Sequence, residues 1–318
     1  MTDQTASLTT LTMNPILDRG LSFGKLVFDE KLRCNETRPR ASGGGINVAL
    51  AMKRLGADPL AIFPSGGFSG LMLERLMAAE DVRYKSFAIA DECRTNITAD
   101  ERETGRQIRF VPPGPRLDEK EWTAGLELMT AASSSGYAVA SGSLPLGVPY
   151  DFYARLGHNL RVSGGAKLAL DASGPSLKYA LDAGVYLVKL NLGEFAGLIG
   201  ESTLDRATCH AAAKKLVTGG NAETVVLTMG QDGAMLVSRD VSFYAKPPPV
   251  KVRGIVGADD CFLAAMMLRL AKGQGLDEAL RHAVAVGTAA ALPPPNERDL
   301  SNVIAQLAAQ VRVETLSE

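Results

Sequence analysis

The chain has 318 residues, 46% hydrophobic and 22% charged, enough for one large α/β domain or two modest ones around a sizeable core. Its 34 basic and 35 acidic residues leave a net charge of −1, which offers no footprint for nucleic acid or an anionic membrane and favours a small-molecule partner. The polar start, Met1 to Thr10, lacks a signal peptide's basic and apolar regions, and the longest apolar run, Ala283 to Leu292, is short of the roughly 20 residues that span a bilayer.

Leu8 to Met13 reads as a strand, ended by Asn14-Pro15. A less regular stretch with short alternating pieces such as Leu21 to Val27 runs to Ser42, and Gly43-Gly44-Gly45 follows. Ile46 to Leu55 has helical spacing with Gly56 as a stop, Leu60 to Phe63 is a short buried strand, and Gly70 to Ala79 is a second helix. Between Val82 and Val111 the pattern changes to short strands at Tyr84–Ala88, Asn96–Ala99 and Gln107–Val111, which predicts a small sheet set apart from the main body. From Asp118 strands and helices alternate: a helix to Ala131, then strands at Tyr137–Ala140, Leu168–Leu170, Val185–Lys189 and Thr224–Thr228 with helical segments between them. Helices close the chain at Asp259–Ala271, Leu276–Leu292 and Leu300–Val311. Such alternation predicts a mostly parallel sheet covered on both faces, with ligands beyond the carboxyl ends of its strands.

Cys34, Cys93, Cys209 and Cys261 are far apart with no CxxC pair, so neither a disulfide framework nor a metal cluster is expected, and a reducing cytoplasm fits. His158, His210 and His282 sit in helix-like sequence and read as surface or structural residues.

Four segments could carry chemistry. Gly257-Ala258-Asp259-Asp260 leads small residues straight into a helix, whose free amides can hold an anion while a carboxylate accepts a hydroxyl proton. An aspartate there is also a preferred helix cap. Gly43-Gly44-Gly45 permits close backbone approach to a ligand at another helix start, though it is not the GxGxxG pattern and is weak by itself, a flexible loop being the other use. Asn191 and Glu194 follow a buried strand and could serve Mg²⁺ with oxygen ligands, or form a capping box. Thr228 to Ala234 reads as a hairpin turn through Asp232-Gly233. Lys31, Arg33, Arg94 and Arg109 lie in the strand-rich stretches, where guanidinium forks suit phosphate and solvated strand faces are the commoner use.

In this order the pieces resemble the ribokinase-like carbohydrate kinases, and within them the group of B-type 6-phosphofructokinases, 1-phosphofructokinases and tagatose-6-phosphate kinases. The likeness runs from Thr10-Leu11-Thr12-Met13-Asn14-Pro15-Ile16-Leu17-Asp18 to the last helices, through Lys31-Leu32-Arg33-Cys34, Gly43 to Ala49, Arg109-Phe110-Val111, Ser141-Gly142-Ser143-Leu144-Pro145 and Pro247-Pro248-Pro249-Val250-Lys251. The resemblance implies a single α/β domain over 1–318, a ribokinase-like three-layer sandwich with a small β-sheet lid. The lid's strands would come from about 14–42 and 82–112, and the lid would build a homodimer. It implies ATP, Mg²⁺ and a sugar phosphate, with fructose 6-phosphate going to fructose 1,6-bisphosphate as the first expectation and fructose 1-phosphate or tagatose 6-phosphate as the alternative substrates. By the same resemblance Asp18, Lys31, Gly43, Gly44, Asn47, Arg94, Arg109 and Ser143 contact the sugar phosphate. Lys189, Thr228 and Gly230 border the nucleotide, Asn191 and Glu194 organise Mg²⁺, Asp260 is the base, and Gly257, Ala258 and Asp259 share its anion-holding turn.

Three departures stand out. The family's turn is Gly-Ala-Gly-Asp, whereas Asp259 occupies the third place here. A carboxylate there opposes phosphate by about 1–4 kcal/mol near a wet surface, so a weakened, ligand-binding homologue is the alternative expectation. Leu190 replaces the usual proline after the lysine. Pro293-Pro294-Pro295-Asn296-Glu297 replaces a segment that helps relatives bind a monovalent cation, which argues against a K⁺ site.

Overall fold

Every residue of the first strand, Leu8–Leu11, is buried, its threonines included. That is the signature of a strand covered on both faces, and the computed structural model places it inside a ten-stranded sheet. The structure describes residues 5–201, 204–251, 257–292 and 300–316. The proline-rich segment read against a K⁺ site, 293–297, lies outside the described residues.

In chain order the first half runs β1 (Leu8–Leu11), β2 (Ile16–Phe23), β3 (Asn35–Glu36), β4 (Arg40–Ser42), α1 (Gly44–Arg54), β5 (Leu60–Ser65), α2 (Gly67–Ala79), β6 (Arg83–Ala88), β7 (Arg94–Glu101), β8 (Gln107–Phe110) and α3 (Glu119–Ala132). The second half runs β9 (Tyr137–Ser141), α4 (Phe152–Val162), β10 (Lys167–Asp171), α5 (Gly174–Ala183), β11 (Val185–Asn191), α6 (Leu192–Ile199), α7 (Arg206–Thr218), β12 (Ala222–Thr228), β13 (Ala234–Ser238), β14 (Ser242–Lys246), α8 (Ala258–Ala271), α9 (Leu276–Ala290), α10 (Leu300–Gln310) and β15 (Arg312–Thr315).

The large sheet has the order β15-β14-β13-β12-β11-β10-β9-β1-β5-β6. From β6 to β12 neighbours are parallel, and from β12 to β15 they are antiparallel. Two cores cover its two faces. Helices α2 to α7 pack one face through residues such as Leu73, Trp122, Phe152, Leu177, Phe195 and Ala213. Helices α8 to α10 pack the other through Phe262, Met266, Leu280 and Ile304, with Val48 and Met52 of α1. Period-2 alternation divides central strands such as β11 between the cores: Val188 and Leu190 face the first, Leu187 the second. The result is a three-layer sandwich.

The smaller sheet is separate, with β2 at its centre. Strands β3 and β4 pair with β2 on one side, β7 runs parallel to it over eight residues from Ile16↔Arg94 to Phe23↔Glu101, and β8 closes the far edge. One expectation is corrected here. Arg83–Ala88 does not belong to this sheet but pairs with β5 at the edge of the large one. It follows α2 as the second strand of a β-α-β crossover, and Phe87 anchors it in the main core. The stretch 82–112 therefore gives the small sheet only β7 and β8.

The hairpin expected at Asp232-Gly233 forms, joining β12 to β13 through a short 3-10 helix, Gly230–Asp232. His158 is exposed, and His282 is buried against the Arg269 guanidinium, where burial with that charge pushes its pKa down to about 4. Among the described residues no helix is long and apolar enough to cross a membrane.

Candidate active site

Parallel strands bring their carboxyl ends to one edge, so the segments after β1, β9, β10, β11 and β12 meet there. Two helix starts close over them. The first is α1, whose glycines exist for want of room. A methyl group on Gly44 would overlap Ser141 at the end of β9, and one on Gly45 would overlap the Leu11 carbonyl. Gly43, the N-cap, has φ +119°, and a Cβ there would lie 2.7 Å from Thr12. The Ile46 amide donates to Thr12 Oγ1 at 2.7 Å, which fixes the helix to β1. The glycine run is thus a packing device that seats a helix N-terminus at the strand ends, not a flexible loop.

The second is α8. Gly257 is its N-cap, in the left-handed conformation at φ +81° that glycine adopts readily, and no side chain caps the helix. Asp259 and Asp260 sit in its first turn without capping it. Asp260 instead turns toward α1, where its Oδ2 accepts a hydrogen bond from Asn47 Nδ2 at 2.9 Å. With no side-chain cap among the described residues, the first-turn amides of α8 could hold an anion. Burial raises the Asp260 carboxyl to about 6, the Asn47 bond opposing and the Asp171 charge adding to the shift. A carboxylate of that basicity beside free helix amides can take a hydroxyl proton near neutral pH.

Beneath it lies a charge cluster. Lys189 Nζ stands 3.4 Å from Asp171 Oδ2 and 3.3 Å from Asp259 Oδ1. The Lys189 side chain is 3% exposed, Asp171 13% and Asp259 53%. Burial works against the ammonium, but Asp171, Asp259 and Glu194 together hold its pKa above the ordinary value. Burial raises Asp171 as well, and Lys189 only partly offsets it because Glu194 and Asp259 repel the same carboxylate. Ser141 Oγ donates to Asp171 at 3.4 Å.

Asn191 and Glu194 form the capping box that their spacing allowed: Glu194 N donates to Asn191 Oδ1 and Asn191 N to Glu194 Oε2, both at 2.9 Å. The box leaves Glu194 Oε1 outside the cap. Thr228 Oγ1 donates to the Leu190 carbonyl at 3.5 Å, and Gly230 is left-handed at φ +59°.

The small sheet adds a polar wall. Arg94 Nη2 donates to the Asn14 carbonyl at 3.3 Å, and Asn14 Nδ2 donates to Ser143 Oγ at 3.2 Å. Asp18 lies on β2 opposite Asn96 of β7, with Arg40 at 3.4 Å. Burial lowers the Arg94 pKa, and Arg94 Nε, Asn14 Oδ1 and Asn96 Oδ1 are buried without partners. Buried polar atoms without partners are rare enough to call for an explanation, and a polar ligand is one. Lys31 and Arg109 stand apart. Both are exposed, and Arg109 Nε donates to Gln107 at 2.8 Å on β8.

The expected residues therefore fall into groups. Asn47, Asp260, Asp259 and Lys189 belong to one connected centre, and Gly43, Gly44 and Gly257 shape it. Arg94 and Ser143 are linked through Asn14. Asp171, Asn14 and Asn96 were not anticipated as site residues. For Asp171 a signal existed: it ends a buried parallel strand, as Lys189 and Asn191 do.

The family described as pfkB family carbohydrate kinase matches residues 12–293. The chain is 39% identical over 286 residues to the ATP-dependent 6-phosphofructokinase isozyme 2 of Mycobacterium tuberculosis (strain ATCC 25618 / H37Rv), covering 90% of this chain and 84% of that one. It is 37% identical over 284 residues to the protein of the same name in Escherichia coli (strain K12), covering 89% and 92%. Among solved structures, that of phosphofructokinase-2 from Escherichia coli in complex with fructose-6-phosphate superposes with a TM-score of 0.88 at 35% identity, covering 95% of this chain and 99% of that one.

Proposed function

This chain belongs to the pfkB family of carbohydrate kinases, and on that premise we propose that it transfers the γ-phosphoryl group of ATP to a hydroxyl of fructose 6-phosphate. The observation that carries the reading is the Asn47–Asp260 bond, which holds a carboxylate of raised pKa over the open first turn of α8. Asp260 takes the proton of the attacking sugar hydroxyl. The amides of Gly257 to Asp260 face the charge that spreads over the transferring phosphoryl oxygens. Lys189 supplies the buried cation on the nucleotide side, with Thr228 and Gly230 bordering the nucleotide.

Arg94 is the residue that favours a phosphorylated sugar over a free one. A guanidinium whose Nε is buried without a partner gains most from an anion. Asp18, Asn47 and Ser143 offer polar groups for sugar hydroxyls. The donor set fits Mg²⁺: the ion prefers one or two carboxylates with water and substrate phosphates, and Glu194 Oε1 lies outside the cap that uses Glu194 Oε2 and Asn191 Oδ1. Bound with the nucleotide, the ion would neutralise phosphoryl charge.

Turnover with ATP and Mg²⁺ over fructose 6-phosphate, fructose 1-phosphate, tagatose 6-phosphate and free fructose tests this reading. Fructose 6-phosphate is expected to give the highest kcat/KM, and Arg94→Ala to cost the phosphorylated sugars about 1.5–3 kcal/mol, roughly ten- to a hundredfold. Free fructose performing as well as its phosphate would defeat the role of Arg94.

The loop between β2 and β3 exposes Val27, Phe28 and Leu32, and Phe110 at the end of β8 is exposed with Val111 after it. Such a patch calls for a partner, and a second copy of this chain is the occupant we assign to it. It would close the site on its outer side and bring Lys31 and Arg109 near an interface. Sedimentation of the native chain should give about twice 33.6 kDa, and Phe28→Asp should shift it to monomer; a native monomer would remove the assignment.

A further inference from the structure

We propose that Asp259 sets the nucleotide form this site accepts, making a nucleotide that brings no cation of its own a poor ligand. The inference rests on the reading of this centre as the phosphoryl-transfer site.

Among the described residues, Lys189 is the cation paired with the cluster, and it is shared between Asp171 and Asp259. They are not equivalent. Asp171 lies behind it, 13% exposed at the end of β10, whereas Asp259 is 53% exposed in the first turn of α8. Asp259 is therefore the partner on the side from which a ligand arrives. A phosphate oxygen that is to reach Lys189 must displace this carboxylate or share the ammonium with it. Among the described residues, Glu194 and Asp260 add two more acidic groups to the same field.

A helix N-terminus alone would attract an anion whatever its counter-ion. With a carboxylate inside that turn the outcome depends on what the anion carries. Metal-free triphosphate brings its full negative charge against Asp259. A cation-bound triphosphate arrives partly neutralised, and its cation is attracted by the carboxylate that repels the bare form. One unit charge a few ångströms away at the edge of a partly wet site is worth about tenfold or more in affinity. The effect belongs to the charge and not to the shape of the side chain, so Asp259→Asn removes it while Asp259→Glu retains it.

The test is calorimetric titration of a non-hydrolysable imido analogue of ATP, once with excess EDTA and once with excess Mg²⁺, into the native protein and both variants. The quantity read is the Kd of the metal-free form divided by that of the Mg²⁺ complex. Asp259→Asn is expected to lower this ratio about tenfold, chiefly by tightening the metal-free form, and Asp259→Glu to keep it within about twofold of native. A ratio unchanged in Asp259→Asn would overturn the inference and leave the kinase reading standing. Failure of the native protein to bind either form would overturn both.

Discussion

Asp260→Asn is expected to lower kcat by about 10²- to 10⁴-fold, the range that a positioned general base contributes. The amide keeps an acceptor for Asn47 and keeps the volume, so both substrates should still bind. In the native enzyme kcat/KM should fall as pH drops through about 6, where Asp260 takes up its proton. Phosphate esters ionise in the same range, so the assignment of that limb needs a perturbation of the protein alone. Asn47→Ala supplies one. Losing a bond that stabilises the carboxylate raises the Asp260 pKa further, and the acid limb should move to higher pH with the same substrate.

The same burial has a stability consequence of opposite sign. A carboxyl whose folded pKa is raised favours folding most in its protonated form. Its contribution is fully present below the unfolded value near 3.8 and is lost as pH rises through about 6. Asp260→Asn should therefore be more stable than the native chain at pH 8, by up to about 3 kcal/mol, and converge with it near pH 4. Urea unfolding at the two pH values checks this. A variant that kept native turnover would remove Asp260 from the mechanism, and one no more stable at pH 8 would show that the buried charge costs the fold little.

Asp171→Ala is expected to cost about 3 kcal/mol of stability, because among the described residues it leaves the half-exposed Asp259 as the ion-pair partner of the buried Lys189 ammonium. Activity should fall with it, since the lysine loses the partner that aims it. The two effects can be separated. In the double variant Asp171→Leu with Lys189→Met, apolar side chains fill the same space, and stability should return to within about 1 kcal/mol of native. Activity should not return if Lys189 is the nucleotide-side cation proposed above. Recovery of both would reduce the pair to scaffolding, and a single variant as stable as the native chain would show that Asp259 alone satisfies the lysine.

Much of this arrangement was legible in the sequence, for identifiable reasons. The parallel sheet followed from strand-helix alternation after Asp118, since near-continuous apolar strands such as Val185–Lys189 fit only a sheet covered on both faces. Gly43 to Gly45 suggested close backbone approach to a ligand, whereas the close contacts they make are with Ser141 and Leu11 of the protein itself, partners distant in sequence that leave no local pattern. The sheet to which Arg83–Ala88 belongs was not legible, because a short amphipathic strand reads the same at the edge of either sheet. Its partner is decided by the crossover through α2.

At the site, Asp260 read locally as a cap, and the structure gives it another use: Gly257 is the N-cap, and the carboxylate crosses to Asn47, more than two hundred residues away in sequence. Pairings of that range leave no local pattern. The Lys189–Asp259 contact is of the same kind. The sequence marks Asp259 as a departure in an anion-holding turn, but only the fold supplies the ammonium beside it. Asn191 and Glu194 show the converse, since their capping box is local and was foreseeable from spacing alone.

If this site moves a phosphoryl group onto a phosphorylated sugar, label transfer measures that event itself. With ATP labelled in its γ-phosphate, Mg²⁺ and fructose 6-phosphate, the protein should place the label on the sugar in step with ADP formation, and Asp260→Asn should not. ADP appearing equally fast without sugar, or no labelled product from any phosphorylated ketohexose, would contradict it.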